Sequence, residues 1–401
     1  MKILHTADWH IGKQLHKYSL EDDHDCFLNW LADTVMERKI DLLLVSGDIF
    51  DTAYPSNAAL NQYYQFLQKL IGCSCKVVIT GGNHDSPGVL NAPRQILDYL
   101  HIKITGCIPE DHSAALYAFE ELGVAVAAIP FLRETDLRRS VSGQTYDNRL
   151  EAIRVGIKAH YESYLKLHQE KHPHLSLIGM GHLYVNGASM NTLSESEREI
   201  HTVGGLPVFG TVDFPEGYDY IALGHIHKPQ SLAPHIRYSG SPIPLSFSEK
   251  DNPNYIIELS IDNGKIQTIE QLPIPAFREL KSFTGTLEEV KEKLAQYEFS
   301  TPLASLVELN VVETNFDLNV SYEFDQLLRE FQNAPFKIIK PRLTFLNRRL
   351  EVDELFEKGT EITDLTEKQV FARRMESENI SDEDKQLLSE AFDELMGEIQ
   401  Q

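Results

Sequence analysis

The chain has 401 residues, 42% of them hydrophobic and 24% charged, which suits two domains with a tail and excludes a disordered or fibrous class. A formal net charge of −23 argues against a simple nucleic-acid binder, which would carry a basic face. No apolar run reaches the length of a bilayer span, and the opening "MKILHTADWH" turns polar within eight residues, so the expectation is a cytoplasmic protein.

In chain order, "KILHT" reads as a strand, "HDCFLNWLADTVMERK" as an amphipathic helix and "DLLLVSGD" as a second strand. "NAALNQYYQFLQKLIG" follows as a helix and "CKVVIT" as a strand. This alternation predicts a layered α/β domain, β-sheets flanked by helices. Further strands are predicted at "GVAVAAIPF", "LSLIGMGH", "YDYIALGH" and "NYIIELSI", with a long helix near residues 147–170. From about residue 276 the order becomes β, α, β, α, β, which places a small α/β capping domain over 276–346 after a main domain over 1–275. Residues 347–401 read as a helical acidic tail. Its last part holds nine acids against Lys385 and sets Leu387, Leu388, Phe392, Leu395 and Met396 near one face. The four cysteines, Cys26, Cys73, Cys75 and Cys107, match no disulfide or zinc framework and read as reduced.

The chemistry-bearing residues cluster where apolar strands end. "HTADWH" supplies Asp8 and His10, "VSGDIFD" supplies Asp48 and Asp51, and "GGNHD" supplies Asn83, His84 and Asp85. "GMGH" adds His182, and "LGHIH" adds His225 and His227. Sites in open α/β sheets form at the carboxyl ends of strands. In an extended chain residues i and i+2 face one side, so Asp8 with His10, and His225 with His227, can each converge. Carboxylate, amide and imidazole together suit a divalent transition metal better than calcium or a thiolate-bound ion. Each motif by itself also reads as an ordinary strand end, turn or core histidine; it is the run of five, each after an apolar stretch, that points to a site.

The order D-x-H, GD-x-x-D, GNHD, GH, GH-x-H resembles the calcineurin-like metallophosphoesterases. Within them, "ILHTADWHIG", "GGNHDSP", "DYIALGHIHKPQ" and "YSGSPIPLSF" are most similar to the nuclease subunits of bacterial SbcCD-type complexes. The resemblance covers residues 1–250 most strongly, and segment 238–247 sets it apart from general phosphatases. It implies two metal ions, usually Mn2+, bridged by Asp48. Asp8, His10 and His227 would complete the first, and Asn83, His182 and His225 the second. It assigns His84 to the scissile phosphate and Asp51 to orienting that imidazole, although Asp51 stands where archaeal and eukaryotic relatives carry histidine. Asp85 is expected to form the turn.

The implied activity is a double-strand exonuclease and single-strand or hairpin endonuclease in DNA repair, recombination and replication. The implied partners are DNA, an SbcC-type ATPase docked on the tail, and a second copy of the chain. Two alternatives stay open: a metallophosphoesterase for nucleotides or phosphoproteins, and a non-catalytic scaffold for an ATPase.

Overall fold

The computed structural model describes residues 1–137, 145–187, 202–203, 206–207, 209–262 and 264–347, with positions 371, 375, 385–389, 391–392 and 396 beyond them. The chain forms two compact units. One comprises Met1–Ser282, Glu298–Glu308 and Ala334–Lys340; the other comprises Phe283–Tyr297, Leu309–Asn333 and Pro341–Gln401.

Leaving aside the shortest elements, the first unit begins β1 (Lys2–Thr6), α1 (Glu21–Arg38), β2 (Leu42–Ser46), α2 (Asn57–Leu70) and β3 (Lys76–Thr80). It continues with β4 (Ile102–Thr105), β5 (Leu116–Phe119), β6 (Val124–Ala127), α3 (Tyr146–Lys171), β7 (Ser176–His182) and β8 (Tyr220–Gly224). The last strands are β9 (Gln230–Ala233), β10 (Ile236–Tyr238), β11 (Tyr255–Asp262) and β12 (Lys265–Pro273). They build two six-stranded sheets, ordered β12-β11-β1-β2-β3-β4 and β9-β10-β8-β7-β6-β5. β1 to β4 run parallel, as do β6, β7, β8 and β10, whereas β5, β9, β11 and β12 pair antiparallel with their neighbours.

The apolar runs explain the layers. Along β2, Leu42 and Leu44 face the second sheet, packing with Ile178, Met180, Tyr220 and Ala222. Leu43 and Val45 face the other way, among Phe27, Leu31 and Phe66 of α1 and α2. On the second sheet, Leu177, Ile221 and Leu223 turn outward to Ile157, Tyr161 and Tyr164 of α3. Strands covered on both faces need unbroken apolar sequence, which is why these segments do not alternate with polar residues. The result is helix, sheet, sheet, helix.

A third sheet, β13 (Leu280–Gly285), β14 (Leu306–Glu313) and β15 (Lys337–Phe345), has three strands in chain order. The second unit holds α4 (Leu287–Ala295) and α5 (Leu318–Glu330). α4 starts with a capping box in which Thr286 and Glu289 satisfy each other's backbone N–H. In the tail, residues 385–389 are helical and Leu387 and Leu388 are exposed, whereas Leu395 lies outside the described residues. Among the described residues no helix is long and apolar enough to cross a membrane.

Candidate metal centre

The five sequence motifs sit where β1, β2, β3, β7 and β8 end, and their backbones are laced together. Asp8 N–H donates to Gly47 O at 3.0 Å, and His10 N–H to Asp48 O at 3.0 Å. Asp85 joins the β2 and β3 ends: its carboxylate accepts from the backbone N–H of Ile49 (3.1 Å), Phe50 (3.0 Å) and Gly82 (2.8 Å). That is the turn-forming part expected of it. Gly82 is required for a different reason, since a Cβ there would lie 2.1 Å from Asp48 Oδ1.

The structure corrects one expectation. Asp8 with His10, and His225 with His227, do not converge through the alternation of an extended strand. β1 ends at Thr6 and β8 at Gly224, and Asp8 (φ 54°), His10 (φ 49°), Asp48 (φ 51°) and His225 (φ 103°) all have left-handed backbone. Non-glycine residues adopt that region at a cost that the surrounding structure must outweigh, and such strain gathers at functional sites. Left-handed kinks therefore aim these side chains.

The kinks bring the expected residues together. Asp8, His10 and His227 offer ligand atoms within 4.8 Å of one another; so do Asp8, Asp48 and His182, and so do His10, Asp48 and His84. Asp48 Oδ2 lies 3.4 Å from His10 Nε2 and 3.3 Å from His182 Nε2. Asn83 Oδ1 is 2.9 Å from His182 Nε2, while His182 Nδ1 contacts Ser46 O at 3.0 Å. His225 donates its backbone N–H to Asp8 Oδ1 at 2.8 Å, and its ring lies 5.4 Å from that of His182. Trp9, between the first two site residues, turns into the core against Phe27 and Phe66.

His84 N–H donates to Asp48 Oδ1 at 2.9 Å. The ring is oriented by Asp51, but by the wrong group for the sequence expectation. His84 Nδ1 bonds the backbone carbonyl of Asp51 at 2.7 Å. The Asp51 carboxylate instead lies 3.0 Å from Lys13 Nζ and 3.3 Å from His10 Nδ1. Burial, His10 and Lys13 together set its acidity: burial raises the acid, and the two bases outweigh it and hold it below its ordinary range.

The electrostatics are those of a centre built around positive charge. Burial pushes Asp8 up to about 7, against the pull of His182 and His227. Burial pushes His10 down to about 4. For His182 burial is outweighed by Asp48, which lifts the imidazole to about 9. Asp48 is pulled well below its usual value because His182, His10 and His84 outweigh its own burial. Asp8 Oδ2 and His10 Nε2 are buried with no hydrogen-bond partner. Orphaned acceptors beside a shared carboxylate are what divalent cations satisfy, so the residues present fit metal ions. One neighbour was invisible to motif reading. Glu249, two residues beyond segment 238–247, is buried and bonds His227 Nδ1 at 2.9 Å.

Residues 1–229 match the model of the calcineurin-like phosphoesterases, and residues 276–379 match a model described as the type 5 capsule protein repressor C-terminal domain. A nuclease subunit of the SbcCD complex from Escherichia coli K12 is 30% identical over 98% of this chain and 97% of its own length. Its namesake in Rhodobacter capsulatus is 32% identical over 72% of this chain and 74% of its own. That of Bacillus subtilis is 32% identical over 62% and 63%. The chain belongs to the calcineurin-like phosphoesterase family, among the relatives that carry the name of SbcCD nuclease subunits.

Proposed function

We propose that this chain is the metal-dependent nuclease subunit of an SbcCD-type complex and hydrolyses DNA phosphodiesters at a centre of two divalent ions, Mn2+ by preference. Asp8, His10 and His227 would hold one ion, Asn83, His182 and His225 the other, and Asp48 both. One observation carries this reading: Asp48 Oδ2 stands 3.4 Å from His10 Nε2 and 3.3 Å from His182 Nε2, so a single carboxylate reaches both halves of the set. When bound, a metal pair neutralises charge on the phosphoryl oxygens and lowers the pKa of the attacking water.

The chain's own residues supply the rest. Asp51's carbonyl holds the proton of His84 on Nδ1, so Nε2 is the nitrogen available to the substrate. Through Nε2, His84 can contact the scissile phosphate or the leaving oxygen. The Asp51 carboxylate has a separate task, steadying His10 and Lys13. Burial of Asp8, His10, His182, His225 and His227 excludes bulk water, which strengthens each charge interaction at the centre.

We further place the capping domain at 276–346 and the partner-binding tail at 347–401. The exposed Leu387 and Leu388 would dock on an SbcC-type ATPase. Exposed Tyr64, Ile96 and Tyr99 of the N-terminal unit offer apolar surface to a second copy of the chain. The absence of a membrane-crossing helix among the described residues accords with work in the cytoplasm. A net charge of −23 fits a reading in which most of the positive field for DNA is supplied by bound metal and the ATPase rather than by this chain.

The test is digestion of a linear duplex with Mn2+, with and without the ATPase and ATP. Degradation by the wild type and none after removal of the metal supports the nuclease. Hydrolysis of nucleotides or phosphopeptides without any action on DNA would instead favour a general phosphoesterase. Silence on every phosphoester would favour the scaffold.

A further inference from the structure

Segment 238–247 leads straight into a wrap around His227. Ser241 N–H donates to the His227 carbonyl at 2.9 Å. Gly240 sits at φ +76°, and a Cβ there would lie 2.6 Å from that same carbonyl oxygen. The chain then passes Pro242–Leu245 and turns into a short 3-10 helix, Phe247–Glu249, which delivers a carboxylate back to the imidazole.

That carboxylate is 1% exposed. Glu249 Oε1 accepts from His227 Nδ1 at 2.9 Å, and Oε2 accepts from Leu245 N–H at 2.9 Å. Ser246 Oγ (3.3 Å) and Ser241 Oγ (3.4 Å) add hydroxyl donors to the same group. A carboxylate taken wholly out of water is costly unless its lone pairs are filled, and here the loop fills them. The backbone and serine donors fix where the group stands, and the histidine contact is what it is fixed to do.

We infer that Glu249 is a positioning residue for the metal centre. Because an ionised carboxylate only accepts, it places the ring proton of His227 on Nδ1 and leaves the Nε2 lone pair for an ion. It also sets the ring's rotation. Carboxylates behind metal-bound imidazoles generally act in this way. The SGSPIPLSFSE stretch is thereby explained as a cradle whose product is one oriented nitrogen. This inference rests on the reading that His227 holds a metal.

The experiment is titration of the full-length chain with Mn2+, following free ion by its electron-spin signal, alongside thermal melting. Wild type, Glu249→Gln, Glu249→Ala and Ser248→Ala are compared. Glu249→Gln keeps the shape and removes the charge. It should melt like the wild type and bind one of two ions about 10-fold more weakly, and Glu249→Ala should bind it up to about 100-fold more weakly. Ser248→Ala disturbs the same turn without touching the carboxylate and should bind as the wild type does. Wild-type affinity in folded Glu249→Gln overturns the inference, whatever Glu249→Ala does. Equal weakening in Ser248→Ala also overturns it, because loop packing would then be the cause. A wild type that binds no Mn2+ brings down the metal reading itself, a result separate from either.

Discussion

Replacing Gly82 by alanine adds one methyl group at the point where the β2 and β3 ends touch. The new Cβ would stand 2.1 Å from Asp48 Oδ1, 2.3 Å from Asp48 N and 2.7 Å from Asp48 Cγ. Ordinary contact begins at 3.4 Å, so the two backbones must part by about 1 Å even after the carboxylate rotates. Rotation is itself constrained, because Asp48 Oδ1 accepts from His84 N–H and Oδ2 faces His10 and His182. Overpacking of this kind costs roughly 1–3 kcal/mol. At roughly 1.5 °C per kcal/mol for a unit of this size, the melting temperature should fall by about 1–5 °C.

The effect on activity should be larger, because a misplacement of about 1 Å at a reacting centre costs roughly 10²-fold. Melting by circular dichroism and Mn2+-dependent hydrolysis of a linear duplex, both on the full chain, measure the two. Gly72→Ala serves as control, since nothing lies within 4 Å of its Cβ. Full activity in folded Gly82→Ala would refute the claim that this contact sets the position of Asp48.

Asp48→Ala should bind neither ion, since one carboxylate serves both; two ions retained at full occupancy by metal analysis would disprove the bridge. His84→Ala should keep fold and metals while hydrolysis drops about 10²-fold or more, and loss of metal there would make His84 a ligand. Arg278→Met leaves Asp23 buried without the guanidinium that now grips it at 2.8 and 3.0 Å, and should cost about 3–5 kcal/mol in chemical denaturation; a cost below about 1 kcal/mol would show the pair to be dispensable. His5 is held down to about 3 by burial, so the unfolded chain binds its proton first as the pH drops below about 6.5. Stability should therefore fall from pH 6.5 toward 3 by a few kcal/mol on this account. His5→Gln should flatten that limb, and an unchanged limb would place the acid sensitivity elsewhere.

The sequence by itself determined the strands that carry the candidate site and the residue types at their ends. Runs such as Leu42–Val45 and Val77–Ile79 are apolar without a break because both faces of their sheet are covered, and each is followed within a few residues by a glycine and a metal-type ligand, a kind of residue that gains its meaning from recurring at five strand ends. Asp8, His10, Asp48, Asn83, His84, His182, His225 and His227 are thus legible from residue order alone. β4, β5, β9 and β10, three or four residues each, were too short to stand out, and β12 escaped because its segment, KIQTIEQLP, is an edge strand with mostly exposed residues and little apolar signal.

Only the tertiary structure decided how those residues are aimed. Left-handed kinks at Asp8, His10, Asp48 and His225 contradict strand alternation, and such backbone is stable only when distant segments, here the β2 end against residues 8–11, bond to it. Likewise the partner of His84 is a carbonyl rather than the neighbouring carboxylate, and the partner of His227 is Glu249, 22 residues away in a serine-rich turn. Residue types are local, whereas the direction of a lone pair is set by contacts between segments that meet only when the chain has folded.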